Sequence, residues 1–354
     1  MKRTVLSLLI LTFVVLSSCQ NKKEAQPDSA SGLTPANFAT TTAKGEKINL
    51  YVLKNAAGME VCVTNIGARI VSIMVPDKNG ELKNVVLGHD NIEPYMQLTD
   101  YYGAVLGRYA GRIANGEISV NRVTYHLRTN DKDDIVNGGP RGFSTQYFDI
   151  VRMSDSELVA SYLSRDKEEG FPGNLNLTVT YKVTEDNALD VTYEATTDWA
   201  TVINVTNHSC FNLSGIDSGS LNDHQLFVDA TYYLPVNENK IPSGRLENVE
   251  KTPFDFTTAK ALEPNFDYDH CLVLNNPIID NRSGKLVSTT TGISLEIYTT
   301  EPGVQLSLEK TKPAVYLDTQ HFSDSPNHKI FPTTVLQADS LFQSQTIYKF
   351  GIER

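Results

Sequence analysis

The sequence predicts an all-β protein, a large antiparallel β-sandwich with a concave polar face. Three observations predict it. Apolar residues recur with a period of two through most of the chain. Turn clusters such as "DKNG" and "NRSGK" separate these runs. No segment sustains a helical period, and neither an internal repeat nor an internal linker is present. Two packed sheets are then the simplest way to bury the 40% hydrophobic residues of a 354-residue chain.

The first elements precede the fold. Met1-Lys2-Arg3 is basic, and "TVLSLLILTFVVL" is an apolar run too short for a membrane span. "LSSC" follows, so residues 1–18 resemble a bacterial lipoprotein signal with Cys19 as the acylated mature N-terminus. An ordinary signal peptide or short anchor is the alternative. Lipid on Cys19 would tether the protein to a membrane of the cell envelope, outer-membrane or periplasm-facing, without spanning it. Residues 19–45 are polar and aperiodic and are expected to form a flexible tether. The β-sandwich is expected over 46–354, with its first core residue near Ile48.

Strands follow in order. "MEVCVTNIGARIVSIMV" alternates first. "GNLNLTVTYKV" puts Leu175, Leu177, Val179, Tyr181 and Val183 on one face, and Leu189, Val191, Tyr193 and Ala195 repeat the pattern after "TEDNA". That pair predicts a hairpin. "HQLFVDATYYLPV", "ISLEIYTTEPGVQLSL" and "PAVYLDTQHF" read as further strands.

Composition narrows the function classes. A net charge of -11 excludes a nucleic-acid surface and leaves no basic patch for anionic lipid, so any membrane contact is through the lipid anchor. The seven histidines include no pair at zinc spacing, no Cys-x-x-Cys occurs, and no metal site is expected. With Cys19 lipidated, Cys62, Cys210 and Cys271 remain, free thiols by default, with a Cys210–Cys271 bridge as the alternative.

Parity locates the polar face. Val202, Asn204, Thr206 and His208 share one side of "VINVTNHS", and Tyr316, Asp318 and Gln320 one side of "AVYLDTQ". Gln305, Ser307 and Glu309 lie opposite Val304, Leu306 and Leu308. His208 therefore follows polar neighbours, which suits a groove better than a core.

Seven motifs then occur in order: "TNIGARIVSIMVPDKNGE", "GAVLGRYAGRIANGEI", "NVTNHSCFNLSG", "YDHCLVL", "TTEPGVQ", "LDTQHFSDSPNH" and "FPTTVL". Together they resemble the aldose 1-epimerase (galactose mutarotase) family over nearly the whole mature domain. The resemblance implies a galactose mutarotase-like β-sandwich that binds a free aldohexose such as galactose or glucose, with no metal or organic cofactor. It implies acid/base opening of the pyranose ring and reclosure on the other face of C1. His208 matches the acid, Asp318 the base, Asp269 and Arg112 the sugar-binding pair, and Gln305 a polar contact. Asn137 matches a further substrate-binding position.

The match departs at four places. Gly111 stands where the family has Asn, Asn137 where it has His, and Asp318 where it has Glu. The segment between "TTEPGVQ" and "LDTQ" is also short. Glu to Asp withdraws the carboxylate by one methylene, and a displacement on the order of 1 Å costs roughly a hundredfold in rate. Either the short segment restores the reach, or Glu309 supplies the base. Three readings stand at this point: an envelope-anchored aldose 1-epimerase, a non-catalytic sugar-binding lipoprotein, and another carbohydrate activity on this fold. A sugar phosphate is not expected, since the sequence shows no second cationic cluster.

Overall fold

A computed structural model describes residues 29–97, 100–263 and 265–353. Residues 1–18, Cys19 and the first part of the tether lie outside the described residues. The long strands pair antiparallel in a nine-stranded and a six-stranded sheet, with a four-stranded sheet from Leu50–Lys54 to Leu82–Asn84 beside them. One core joins all three: Leu177, Val179 and Val191 from the largest sheet, Leu272, Val304, Leu306 and Leu317 from the second, and Val61, Val63 and Ile73 from the third. Alternation drives this arrangement in strands such as Leu175–Val183, which bury one face, while Glu60–Thr64 and Val315–Gln320 are buried on both.

The hairpin expected at 175–195 forms. Leu175–Val183 pairs with Ala188–Thr197 from Leu175↔Thr197 to Val183↔Leu189. Its odd-numbered apolar residues are buried, while Asn176 and Lys182 are exposed. Asn187, at φ 59°, completes the turn, where an Asn tolerates the left-handed region better than most residues.

Two expectations need correction. The fold begins before residue 46. Ser29 Oγ donates to Glu60 (2.8 Å), Leu33 and Phe38 enter a small core with Ile48, Cys62 and Tyr95, and Thr40–Thr41 pairs with Lys47–Ile48. Two apolar side chains sufficed to dock a segment whose average composition is that of a linker; a fully buried Phe38 alone is worth about 1.5–3 kcal/mol. Nor does "VINVTNHS" form one strand. Thr201–Val202 pairs with Val335–Leu336, and Thr206–Asn207 with Val105–Leu106. Between them, Asn204 Nδ2 donates to the carbonyls of Ala110 (2.9 Å) and His321 (3.0 Å). Asn204 is a staple between loops, because backbone groups outside the strand ladders there need a side-chain amide.

Cys62, Cys210 and Cys271 are free and buried. No described helix is long and apolar enough to cross a membrane.

Candidate active site

The site lies on the outer face of the six-stranded sheet. Three neighbouring strands build its floor: Asp269–Leu274, Gly303–Leu308 and Val315–Gln320. Val304, Leu306 and Leu317 point into the core, so Gln305, Ser307, Asp318 and Gln320 point to the opposite side. Registers Cys271↔Gln305 and Gln305↔Asp318 bring the strands' polar residues side by side. These residues line a cavity of about 290 Å³ together with Gly111, Arg112, Asn137, His208, Tyr268 and Asp269.

His208 enters from the edge of this sheet, two residues before Cys210–Phe211, which pairs with Val315–Gln320. Its backbone is fixed on both sides: His208 N–H donates to Ala104 O and Gly103 N–H donates to His208 O, each at 2.8 Å. Asn207 Nδ2 donates to Gly103 O (2.7 Å), and Ser209 Oγ donates to Asn207 Oδ1 (2.5 Å). The neighbours of His208 are thus spent on structure while its own ring reaches the cavity. Gly103 is required for this approach; it sits at φ 63°, and a Cβ would lie 1.8 Å from Ile70 O.

The ring of His208 meets Asp318. Nδ1 and Asp318 Oδ2 are 2.5 Å apart, with side chains 16% and 4% exposed. Nε2 of His208 makes no hydrogen bond among the described residues. Burial pushes the Asp318 carboxyl above its ordinary value, the His208 charge pulls it down, and Asp269 pushes it up again. Two buried polar atoms in the cavity wall have no partner among the described residues: Asp318 Oδ1 and Arg112 Nε. One is an acceptor and one a donor.

Asp269 is held by the residues expected to bind sugar beside it. Gln305 Nε2 donates to Asp269 Oδ1 (2.7 Å), and Arg112 Nη1 lies 3.4 Å from Oδ2. Asn137 accepts the Gly111 amide on Oδ1 (3.0 Å), so it also braces the segment that carries Arg112. All six residues expected from the sequence, His208, Asp318, Arg112, Asp269, Asn137 and Gln305, therefore line one cavity. Cys19 lies outside the described residues.

Glu309 does not join them. Its Oε1 accepts the amide (2.9 Å) and hydroxyl (2.8 Å) of Thr311, and its Oε2 accepts the Tyr316 hydroxyl (2.8 Å). Burial opposes its charge, but these donors hold its carboxyl below the ordinary value. Arg108 is a structural residue; it is buried and donates to Ser164 and to the carbonyls of Pro172 (2.8 Å) and Gly173 (2.9 Å). His270 packs on Phe254 at 4.3 Å outside the cavity lining.

Sequence reasoning missed Ser323 and the cavity mouth. A Cβ on Gly111, which sits at φ 79°, would lie 2.3 Å from Ser323 Oγ. The space that a side chain at 111 would need is filled by Ser323, whose hydroxyl accepts the Arg112 amide (3.2 Å). The two positions compensate across 212 residues of chain, and no local pattern could have paired them. Lys240 and Lys310 lie at the mouth, and Lys240 pairs with Asp267 there. Among the described residues no cluster of three or more His, Cys, Asp or Glu is set to hold a metal ion.

The chain is similar to known proteins over most of its length. The aldose 1-epimerase family pattern matches residues 49–349. The chain is 33% identical over 340 residues to the aldose 1-epimerase of Escherichia coli (strain K12), covering 87% of this chain and 97% of that one. It is 33% identical over 343 residues to the galactose mutarotase of Homo sapiens, covering 91% and 99%. An aldose epimerase homologue from C. elegans superposes with a TM-score of 0.83 at 26% identity, covering 87% of this chain and all of that one. The galactose 1-epimerase of Lactobacillus acidophilus NCFM shares the fold, with a TM-score of 0.79 at 24% identity over 89% of this chain and 98% of that one.

Proposed function

We propose, from the premise that the chain belongs to the aldose 1-epimerase family and is an isomerase of the α and β anomers of an aldose, that Asp318 and His208 move the two protons of its reaction. The observation that carries this is the pair itself: Asp318 Oδ2 is engaged by His208 Nδ1, while Asp318 Oδ1 is left unpartnered in the cavity wall. Asp318 Oδ1 takes the proton of the C1 hydroxyl, and the bond from C1 to the ring oxygen breaks. His208 Nε2 gives its proton to that oxygen. The imidazolium–carboxylate pair becomes a neutral imidazole and a carboxylic acid, and no net charge is created. Rotation about C1–C2 and the reverse transfers close the ring on the other face.

Throughout, Nδ1–H donates to Oδ2. That contact fixes the tautomer whose Nε2 carries the lone pair in the open-chain state. A carboxyl raised by burial is a better base near neutrality than an exposed one. Asp269, braced by Arg112 and Gln305, accepts sugar hydroxyls, and Arg112 Nε and Asn137 Nδ2 are donors for others. Both reacting groups stand on a preformed surface, which removes much of the orientation cost. The cavity is at the small end of ligand pockets, the scale of one monosaccharide such as galactose or glucose.

The basic start, the short apolar run and "LSSC" support a second reading, that lipid on Cys19 holds the enzyme to a membrane of the bacterial envelope. Polarimetry of freshly dissolved α-galactose, α-glucose and α-xylose tests the activity and ranks the sugars. Equilibration no faster than the spontaneous rate, with sugar binding retained, overturns the proton pair and leaves a binding protein.

A further inference from the structure

We propose that Tyr316 is a positioning residue for the reaction, a flat platform anchored by Glu309 that holds the His208 imidazole in line with the sugar. This rests on the reading of His208 as the proton donor. The two rings stack at 4.0 Å between centroids and 10° between planes. Tyr316 is 6% exposed and sits on the Val315–Gln320 strand, two residues before Asp318. One strand therefore supplies both the carboxylate that takes Nδ1 and the ring that takes the face.

The platform is itself tied down. Tyr316 O–H donates to Glu309 Oε2 at 2.8 Å, and Glu309 Oε1 accepts both donors of Thr311. The turn between Gly303–Leu308 and Val315–Gln320 is closed further by Glu309 N–H donating to Ala314 O (2.9 Å). The imidazole also meets the edge of Tyr101 at 6.3 Å and 82°. His208 is held at Nδ1, on one face and by an edge contact, which leaves Nε2 without a hydrogen bond among the described residues. The short hairpin thus contributes to the chemistry, because its Glu309 fixes Tyr316.

A phenol whose hydroxyl is bonded to a carboxylate presents an electron-rich face, and such a face favours a cation over it. The platform therefore holds the ring by its face and orients it. The titratable groups around this ring are Asp318, Tyr101 and Tyr316. Cys210 pairs with Tyr316 across the strands, Glu309 accepts the Tyr316 hydroxyl, and the charge of Asp269 acts on Asp318.

The test compares Tyr316→Leu, Tyr316→Phe, Glu309→Ala and His208→Ala by polarimetry, with kcat, KM and pH profiles. Tyr316→Leu should lower kcat by about ten- to a hundredfold with little change in KM. Tyr316→Phe keeps the ring but loses the tie to Glu309, so it should recover kcat only to the several-fold loss expected of Glu309→Ala. Glu309→Ala, at a surface turn, should lose several-fold in kcat and carries the test if Tyr316→Leu does not fold. A folded Tyr316→Leu or Glu309→Ala with wild-type kcat and pH profile overturns the platform. If His208→Ala itself keeps the wild-type rate, the reading of His208 fails and the platform with it. An inactive His208→Ala beside an unaffected Tyr316→Leu removes the platform alone.

Discussion

Asp318 Oδ2 lies 2.5 Å from His208 Nδ1, across 110 residues of sequence, while Asp318 Oδ1 has no partner among the described residues. The pair has two distinct ends, one bonded internally and one buried in the cavity wall without a protein partner among the described residues. His208→Ala and Asp318→Asn should each slow mutarotation by about 10²–10⁴. Both protons move in one reaction, so the double variant should be little slower than either single one. Full activity in Asp318→Asn, measured by polarimetry, would remove Asp318 from the reaction.

Asp318→Glu restores the longer side chain found in the family and is expected to fail. Asp318 already reaches His208 and is buried. An added methylene must displace the imidazole or strain the strand, at roughly 1–3 kcal/mol. Activity should fall and the melting temperature should drop. A rise in kcat would show that short reach, not packing, limits the site.

Asp269→Ala should act on binding. It removes the acceptor held by Gln305 and Arg112. Hydrogen bonds to charged groups are worth about 1.5–3 kcal/mol, which corresponds to roughly ten- to a hundredfold in KM. Calorimetry with galactose or glucose checks this, and an unchanged affinity would take Asp269 out of the site.

Stability should fall on the acid side between about pH 6.5 and 4. Burial lowers the pKa of His270 to about 4, helped by Lys240, and burial lowers that of His224 despite Asp223. Both are neutral in the fold and protonate first in the unfolded chain. The unfolded state then binds more protons below the ordinary value of 6.5, so stability is complete above it and is lost as pH falls. For His224, protonation also breaks the bond that Nε2 accepts from Leu213 N–H. His270→Phe, which keeps the packing on Phe254, should flatten the decline in melting temperature over this range. An unchanged slope would assign the acid sensitivity elsewhere.

Much of the fold was legible because it is periodic. The 175–195 hairpin and the parity of Gln305, Ser307 and Asp318 follow from alternation alone. The acid, the base and the sugar-binding residues came from motif resemblance, since the groove joins strands more than 100 residues apart. What remained hidden was non-local. Ser323 fills the space beside Gly111, Tyr316 lies flat on His208, and Glu309 is tied into a turn. Strand parity puts Tyr316 and Asp318 on one face, but only packing separates a platform from a proton acceptor.

The proposed lipid at Cys19 is open to a direct check. Mass spectrometry of membrane-extracted protein should find Cys19 as an acylated first residue. An unlipidated chain beginning elsewhere would end that reading.

The docking of residues 29–48 onto the domain changes how such an anchor would work. A leash running to residue 45 would let the enzyme roam. With Ser29 already fastened, nine residues separate it from Cys19, and the ten steps of chain between them span at most about 35 Å. The domain would patrol a thin layer above the bilayer rather than the whole compartment. Its effective catchment would then be sugars entering or leaving at that surface, met at a local concentration that bulk measurements understate.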